Sequence, residues 1–268
     1  MSKSREIVVS GPFDDIRSGE LRFLQESSRL GRLTVLLWPD ELVAQITGHM
    51  PKFPFAERQY LLDAVRYVDT VVVADSAHEL PDGKRAAIWS DYPLTASPHR
   101  ARYCQTQGIA YHPFGSDELE SFPEPLVDTS GGRKKIVVTG CYDWLHSGHV
   151  RFFEEVSQYG DLFVILGNDE NIRLLKGEGH PLQPQGERRY MVGSIKYVKN
   201  ALIASGSGWL DADPEIQQLK PDIYAVNEDG DKGGKREYCQ ANGIEYLVLR
   251  RIPAPGLPRR SSTDLRGF

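Results

Sequence analysis

The chain contains the same pattern twice. Gly11 to Glu26 lies over Gly140 to Glu155 at an offset of 129 residues, with seven of the sixteen positions identical. Further along, Glu57-Arg58 and Arg66-Tyr67-Val68-Asp69 are echoed by Glu187-Arg188 and Lys196-Tyr197-Val198-Lys199. Tyr103-Cys104-Gln105 and Gly108-Ile109 are echoed by Tyr238-Cys239-Gln240 and Gly243-Ile244. Three collinear matches describe a tandem duplication, so each half of the 268 residues must satisfy one and the same fold.

That fold is legible in the local plan of each half. Ile7-Val8-Val9 and Ile136-Val137-Val138 are unbroken β-branched runs, the pattern of strands buried on both faces of a parallel sheet. A glycine turn follows each run, then an amphipathic helix. In the second copy Val150, Phe153 and Val156 share one face, with Arg151, Glu154 and Glu155 directed elsewhere. Leu162 to Leu166, Asp222 to Val226 and Tyr246 to Leu249 read as later strands, and Arg188 to Lys196 as a helix. Strands alternating with helices predict two tandem Rossmann-like, doubly wound α/β domains whose ligands sit at the carboxyl ends of the strands. Asp, Glu, Pro, Ser and Gly accumulate between Ser116 and Lys135, a composition that neither packs nor holds a helix. The domains are therefore expected at 1–125 and 135–268, with a linker at 126–134.

Bulk properties narrow the function classes. A net charge of −5 gives no broad basic face for nucleic acid. No apolar stretch approaches the length of a membrane span or a signal-peptide core, so a cytoplasmic protein is expected. Three cysteines without a CxxC pair (Cys104, Cys141, Cys239) point to neither a disulfide scaffold nor a zinc knuckle.

The chemistry concentrates after the first strand of the second copy. Beyond Gly140, His146 and His149 stand three apart at a helix start with Gly148 between them. That spacing puts both imidazoles on one side of the helix, next to its unpaired N–H groups, where phosphate is the natural ligand. Gly148 lets a phosphate approach the backbone closely. Lys176, Arg188 and the Ser261-Ser262-Thr263 turn are cationic or donor groups able to neutralise a triphosphate, provided the fold gathers them at one sheet edge. Gly233-Gly234-Lys235 is not a P-loop, because Asp stands at 229 and Arg236 follows the lysine. The proline-bearing loop from Arg250-Arg251 to Arg259-Arg260 reads either as a lid, with Arg251 or Arg260 on phosphate, or as a basic surface loop.

Gly140-Cys141-Tyr142-Asp143-Trp144-Leu145-His146-Ser147-Gly148-His149 resembles the G-x-F-D-x-x-H-x-G-H signature of the cytidylyltransferase branch of the nucleotidyltransferases. Leu175-Lys176-Gly177 with Pro181 resembles the family's K-G-x-x-x-P stretch, Glu187-Arg188-Arg189 with Lys196-Tyr197-Val198 its E-R…R-Y-V-D helix, and Ser261 to Arg266 its closing hydroxyl-rich turn. Val226-Asn227-Glu228-Asp229 departs from the family's V-x-G-x-D by carrying Asn227 in place of glycine. The resemblance implies catalytic roles for His146, His149, Lys176 and Arg188. It implies nucleotide contacts for Gly140, Cys141, Tyr142, Asp143, Gly148, Asn227, Asp229, Ser261, Ser262 and Thr263.

Expected from it is transfer of CMP from CTP to a phosphorylated small alcohol or sugar, of the phosphoethanolamine, phosphocholine or glycerol 3-phosphate class, releasing pyrophosphate. Mg²⁺ would be bound through the phosphates, without protein ligands of its own. Two alternatives are an adenylyltransferase acting on a sugar phosphate such as a heptose phosphate, and a non-catalytic nucleotide-binding regulator. In the first copy Arg17 and Glu20 replace the two histidines and Thr47-Gly48 replaces Lys176-Gly177. That copy is expected to be non-catalytic. The tandem arrangement is similar to that of ethanolamine-phosphate cytidylyltransferases and implies a pseudo-dimer within one chain, with a further homodimer as a possibility.

Overall fold

A computed structural model of the chain describes residues 5–93, 96–124 and 131–265, without the side chains of Thr263 and Asp264. The chain separates into two compact units, Met1–Ser121 and Phe122–Phe268. The first thus ends four residues before the expected 125. Residues 126–130 of the expected linker lie outside the described residues.

Each unit is an α/β fold on a five-stranded parallel sheet. The first has the order β3-β2-β1-β4-β5, from β1 (Glu6–Gly11), β2 (Arg32–Leu37), β3 (Thr70–Val73), β4 (Ile88–Asp91) and β5 (Ala110–Pro113). The second repeats that Rossmann-like order with β6 (Lys135–Gly140), β7 (Asp161–Leu166), β8 (Val198–Ile203), β9 (Ile223–Asn227) and β10 (Glu245–Leu249). The uninterrupted apolar runs are buried as their composition requires, with Ile136, Val137 and Val138 inaccessible to solvent.

Among the described residues ten α-helices connect and flank these strands; those that build the second unit's site are α5 (Ser147–Ser157), α6 (Asp169–Lys176), α7 (Gln185–Gly193), α9 (Lys235–Asn242) and the short α10 (Ser262–Leu265). Helix α7 begins three residues before the expected helix and stops at Gly193, ahead of Lys196. On α5, Val150, Phe153 and Val156 are fully buried, each contributing about 1.5–3 kcal/mol of apolar burial. Arg151 pairs with Glu154 and Glu155 on the opposite side. None of the helices among the described residues is long and apolar enough to cross a membrane.

The feature that makes a site is where pairing stops. Strand β6 pairs with β7 along its whole length, from Lys135–Asp161 to Gly140–Leu166. With β9 it pairs only at Ile136–Ile223 and Val137–Tyr224. Beyond that point the two strands splay, spanned by a 2.6 Å hydrogen bond between the Thr139 and Tyr224 hydroxyls. This is the place where chain order reverses across the sheet, the usual crevice for ligands in such folds.

Candidate active site

A cleft of about 270 Å³ opens over that splay, floored by Thr139, Gly140, Ala225 and Val226. Its entrance turn depends on a glycine. A Cβ on Gly140 would meet the Tyr142 ring at 2.8 Å, so only glycine lets that ring fold back over the strand end. Tyr142 is held at φ 51°, in the left-handed region, as its first-unit counterpart Phe13 is at φ 44°. That conformation costs about 1–2 kcal/mol for a residue with a Cβ. Packing of the buried ring against His149 and Phe153 offsets it, at centroid distances of 5.1 and 5.2 Å. The Asp143 carboxylate accepts hydrogen bonds from the Leu182 and Gln183 amides, fixing the loop that follows α6.

The two histidines lie on one side of the α5 start, stacked with ring centroids 3.9 Å apart. Their roles differ. His146 is buried and is the N-cap of α5; its Nδ1 accepts from the Gly148 amide at 3.1 Å. His149 faces the cleft, and its buried Nδ1 has no hydrogen-bond partner among the described residues. Its imidazole is pushed well below the ordinary histidine value by burial, then by the nearby His146, Arg251 and Lys176, against a hydrogen bond to the Trp144 backbone. Burial and the nearby cations thus disfavour the His149 imidazolium, and an arriving triphosphate, whose charge opposes that of Arg251 and Lys176, would favour its protonation.

Of the other expected site residues, Cys141, Asp143, Gly148, Lys176, Asn227, Asp229 and Ser262 line the cleft with Tyr142 and Gly140. Ser262 donates to the Trp144 carbonyl at 3.4 Å. Ser261 is not among the cleft-lining residues. The side chain of Thr263 and all of Arg266 lie outside the described residues.

Arg188 requires a correction. Instead of reaching a phosphate, its guanidinium is wholly buried and bonded to protein: to the carbonyls of Gln183 (3.0 Å), Cys141 (2.6 Å) and Gly167 (2.9 Å) and to the Asp169 carboxylate (2.7 Å). Arg58 does the same in the first unit with Phe53, Pro12, Trp38 and Asp40. The arginine shared by both copies is a clasp joining three loops at the strand ends, which is why it is present where the histidines are not.

Among the ionisable cleft residues, His180 and Lys235 are not read from the sequence as site residues, and Arg251 only in one of two readings of its loop. Lys235 lies in the Gly233-Gly234-Lys235 stretch that is not a P-loop. Arg251 stands at the cleft, ion-paired with Asp229 and bonded through Nη2 to the Arg260 carbonyl at 2.6 Å. In the first unit the equivalent helix start carries Arg17, paired with Asp15 at 2.9 Å, and Glu20, whose carboxylate accepts from the Arg17 amide. The Tyr92 hydroxyl sits 2.8 Å from where a Gly19 Cβ would stand.

Residues 137–267 match the family model described as cytidylyltransferase-like. The chain is 36% identical to a FAD synthase of Ferroglobus placidus over 120 residues, covering 44% of this chain and 75% of that protein. It is 31% identical to a FAD synthase of Methanocella paludicola over 135 residues, covering 49% of this chain and 93% of that protein. The chain belongs to the cytidylyltransferase-like family and is a nucleotidyltransferase. Another relative is the bifunctional protein HldE of Desulfatibacillum aliphaticivorans, 32% identical over 169 residues; the match spans 60% of this chain but 32% of that protein's length.

Two outcomes follow for stability. Arg188→Ala, which strands three loop carbonyls, should cost on the order of 3–5 kcal/mol in urea unfolding, and Arg58→Ala a similar amount in the first unit. A loss below about 1 kcal/mol would contradict the clasp. Because folded His149 resists a proton that unfolded His149 accepts near its ordinary value of about 6.5, acidification through that value should destabilise the second unit. His149→Asn should flatten that pH dependence; an unchanged slope would contradict it.

Proposed function

We propose that the second unit transfers AMP from ATP to the phosphate of a small phosphorylated acceptor, releasing pyrophosphate. Transfer of CMP from CTP is the reading given first by the sequence motifs. The relatives favour the adenylyl alternative, because FAD, the product in the name of the two FAD synthases, carries an adenosine half joined through a pyrophosphate. A sugar phosphate, such as a heptose phosphate, is the acceptor class of that alternative, and FMN is the class suggested by the relatives' name.

The observation that carries the reading is the gathering of His149, Lys176 and Arg251 around the glycine-floored α5 start. An acceptor phosphate oxygen attacks the α-phosphorus, forming one P–O bond while the bond to the β-phosphate oxygen breaks and pyrophosphate leaves. No protein nucleophile is required, so the residues act by position and charge. His149 donates to the α-phosphate as its charge rises, and Lys176 and Arg251 hold phosphate oxygens. His146 keeps the helix start and the stacked ring in place. Among the described residues no cluster of three His, Cys, Asp or Glu groups could hold a metal ion. Mg²⁺ would be carried by the triphosphate, lowering its charge.

We infer further that the first unit is non-catalytic. Glu20 at its helix start repels phosphate, and the Tyr92 hydroxyl fills the space over Gly19.

The test is pyrophosphate release with ATP and CTP, each paired with FMN, sugar phosphates, glycerol 3-phosphate, phosphocholine and phosphoethanolamine. ATP should exceed CTP in kcat/KM by at least about tenfold with the true acceptor, and His149→Ala should lower turnover by roughly 10²–10⁴ with the fold kept. Preference for CTP would overturn the adenylyl reading. Turnover surviving in His149→Ala would place the chemistry elsewhere.

A further inference from the structure

Two anions must meet in this cleft without repelling each other, so each needs its own cation. The donors around the α5 start form one connected wall. Arg251 bonds the Arg260 carbonyl, that carbonyl lies 3.4 Å from where a Gly148 Cβ would stand, and Ser262 reaches the Trp144 carbonyl. Lys235 stands apart, at the first residue of α9 beyond β9, yet lines the same cleft.

Its charge is only partly balanced. The Lys235 ammonium donates to the neutral Gly230 carbonyl at 2.9 Å and forms no ion pair among the described residues. The carboxylates of the adjoining turn are engaged elsewhere: Asp231 pairs with Arg236 at 3.0 Å and accepts from the Tyr246 hydroxyl at 2.9 Å, and Asp229 pairs with Arg251. Burial pushes the Lys235 amine below its ordinary value, with Asp231 opposing and Lys232 reinforcing the shift. A half-buried ammonium with its local carboxylates already committed is a cation awaiting an anion.

We propose that Lys235 is the ligand for the acceptor's phosphate, holding the attacking group against the α-phosphorus while the α5 wall holds the triphosphate. This rests on reading the cleft as a nucleotidyl-transfer site. It makes a phosphomonoester, rather than a free alcohol or amine, the substrate that this wall selects. It also separates Lys235 from Lys176, which reaches the cleft from the β7 side of the sheet.

The experiment uses the full chain with Lys235→Gln and Lys235→Arg, each checked for the wild-type circular dichroism spectrum. Lys235→Gln should raise the acceptor KM by roughly tenfold or more and leave the nucleotide KM within about twofold, with Lys235→Arg restoring most of the loss. An unchanged acceptor KM would overturn the assignment. So would a rise confined to the nucleotide KM, which would make Lys235 a triphosphate ligand. A purely structural tie to Gly230 would not separate the two KM values.

A second arm needs no turnover. Inorganic phosphate is titrated calorimetrically into chain saturated with an unreactive α,β-methylene triphosphate, the adenosine and cytidine forms in parallel. The wild type should bind phosphate, and Lys235→Gln should bind at least about fivefold more weakly. No wild-type binding, or equal binding by the variant, would overturn the proposal. If no nucleotide and acceptor pair gives turnover, the catalytic reading fails while this arm still decides the role of Lys235.

Discussion

A guanidinium cut off from water holds the site together. Arg188 spends its donors on carbonyls from the turn after β6, the turn after β7 and the loop before α7, with Asp169 balancing its charge. A buried cation placed this way is costly alone and stabilising only with every partner present, so the three loops are fixed as a set. One side of the cleft depends on that set: the Gly140–Asp143 turn, the α5 start it feeds, and the loop that Asp143 clamps through Leu182 and Gln183. The same clasp around Arg58 shows that it belongs to the fold and precedes any chemistry.

On this frame the second unit builds a charge environment that the first does not. Its helix start carries a buried capping histidine stacked under a cleft-facing one, and Gly148 leaves the backbone open between them. The burial and neighbouring cations that disfavour the His149 imidazolium also make the cleft attractive to a polyanion. In the first unit an ion-paired Arg17, a carboxylate at Glu20 and the Tyr92 hydroxyl occupy the corresponding ground. One framework thus supports opposite electrostatics, set by a few side chains.

Much of this was legible in the sequence. The buried β-branched strands and the histidine pair after a glycine turn are local patterns, and local patterns survive translation into structure. Arg188 was misread because sequence reveals a cation but not whether its neighbours are carbonyls or solvent. Lys235 was missed for a related reason: its three-residue motif matched no known loop, and its place at the cleft comes from β9 lying beside β6, a long-range pairing. Arg251 was recognised as a candidate but could not be placed, because a loop bearing three prolines gives no periodicity to follow. The motifs put CTP ahead of ATP, whereas the relatives that the chain matches include FAD synthases.

The central claim is that bond breakage occurs at the α-phosphorus in the cleft of the second unit. It is tested most directly by single turnover of the full chain with ATP labelled at the α- or the γ-phosphate. Label from the α-position should appear in the acceptor-linked product and label from the γ-position only in released pyrophosphate. Label from the γ-position in the acceptor would mean phosphoryl transfer and would contradict the account.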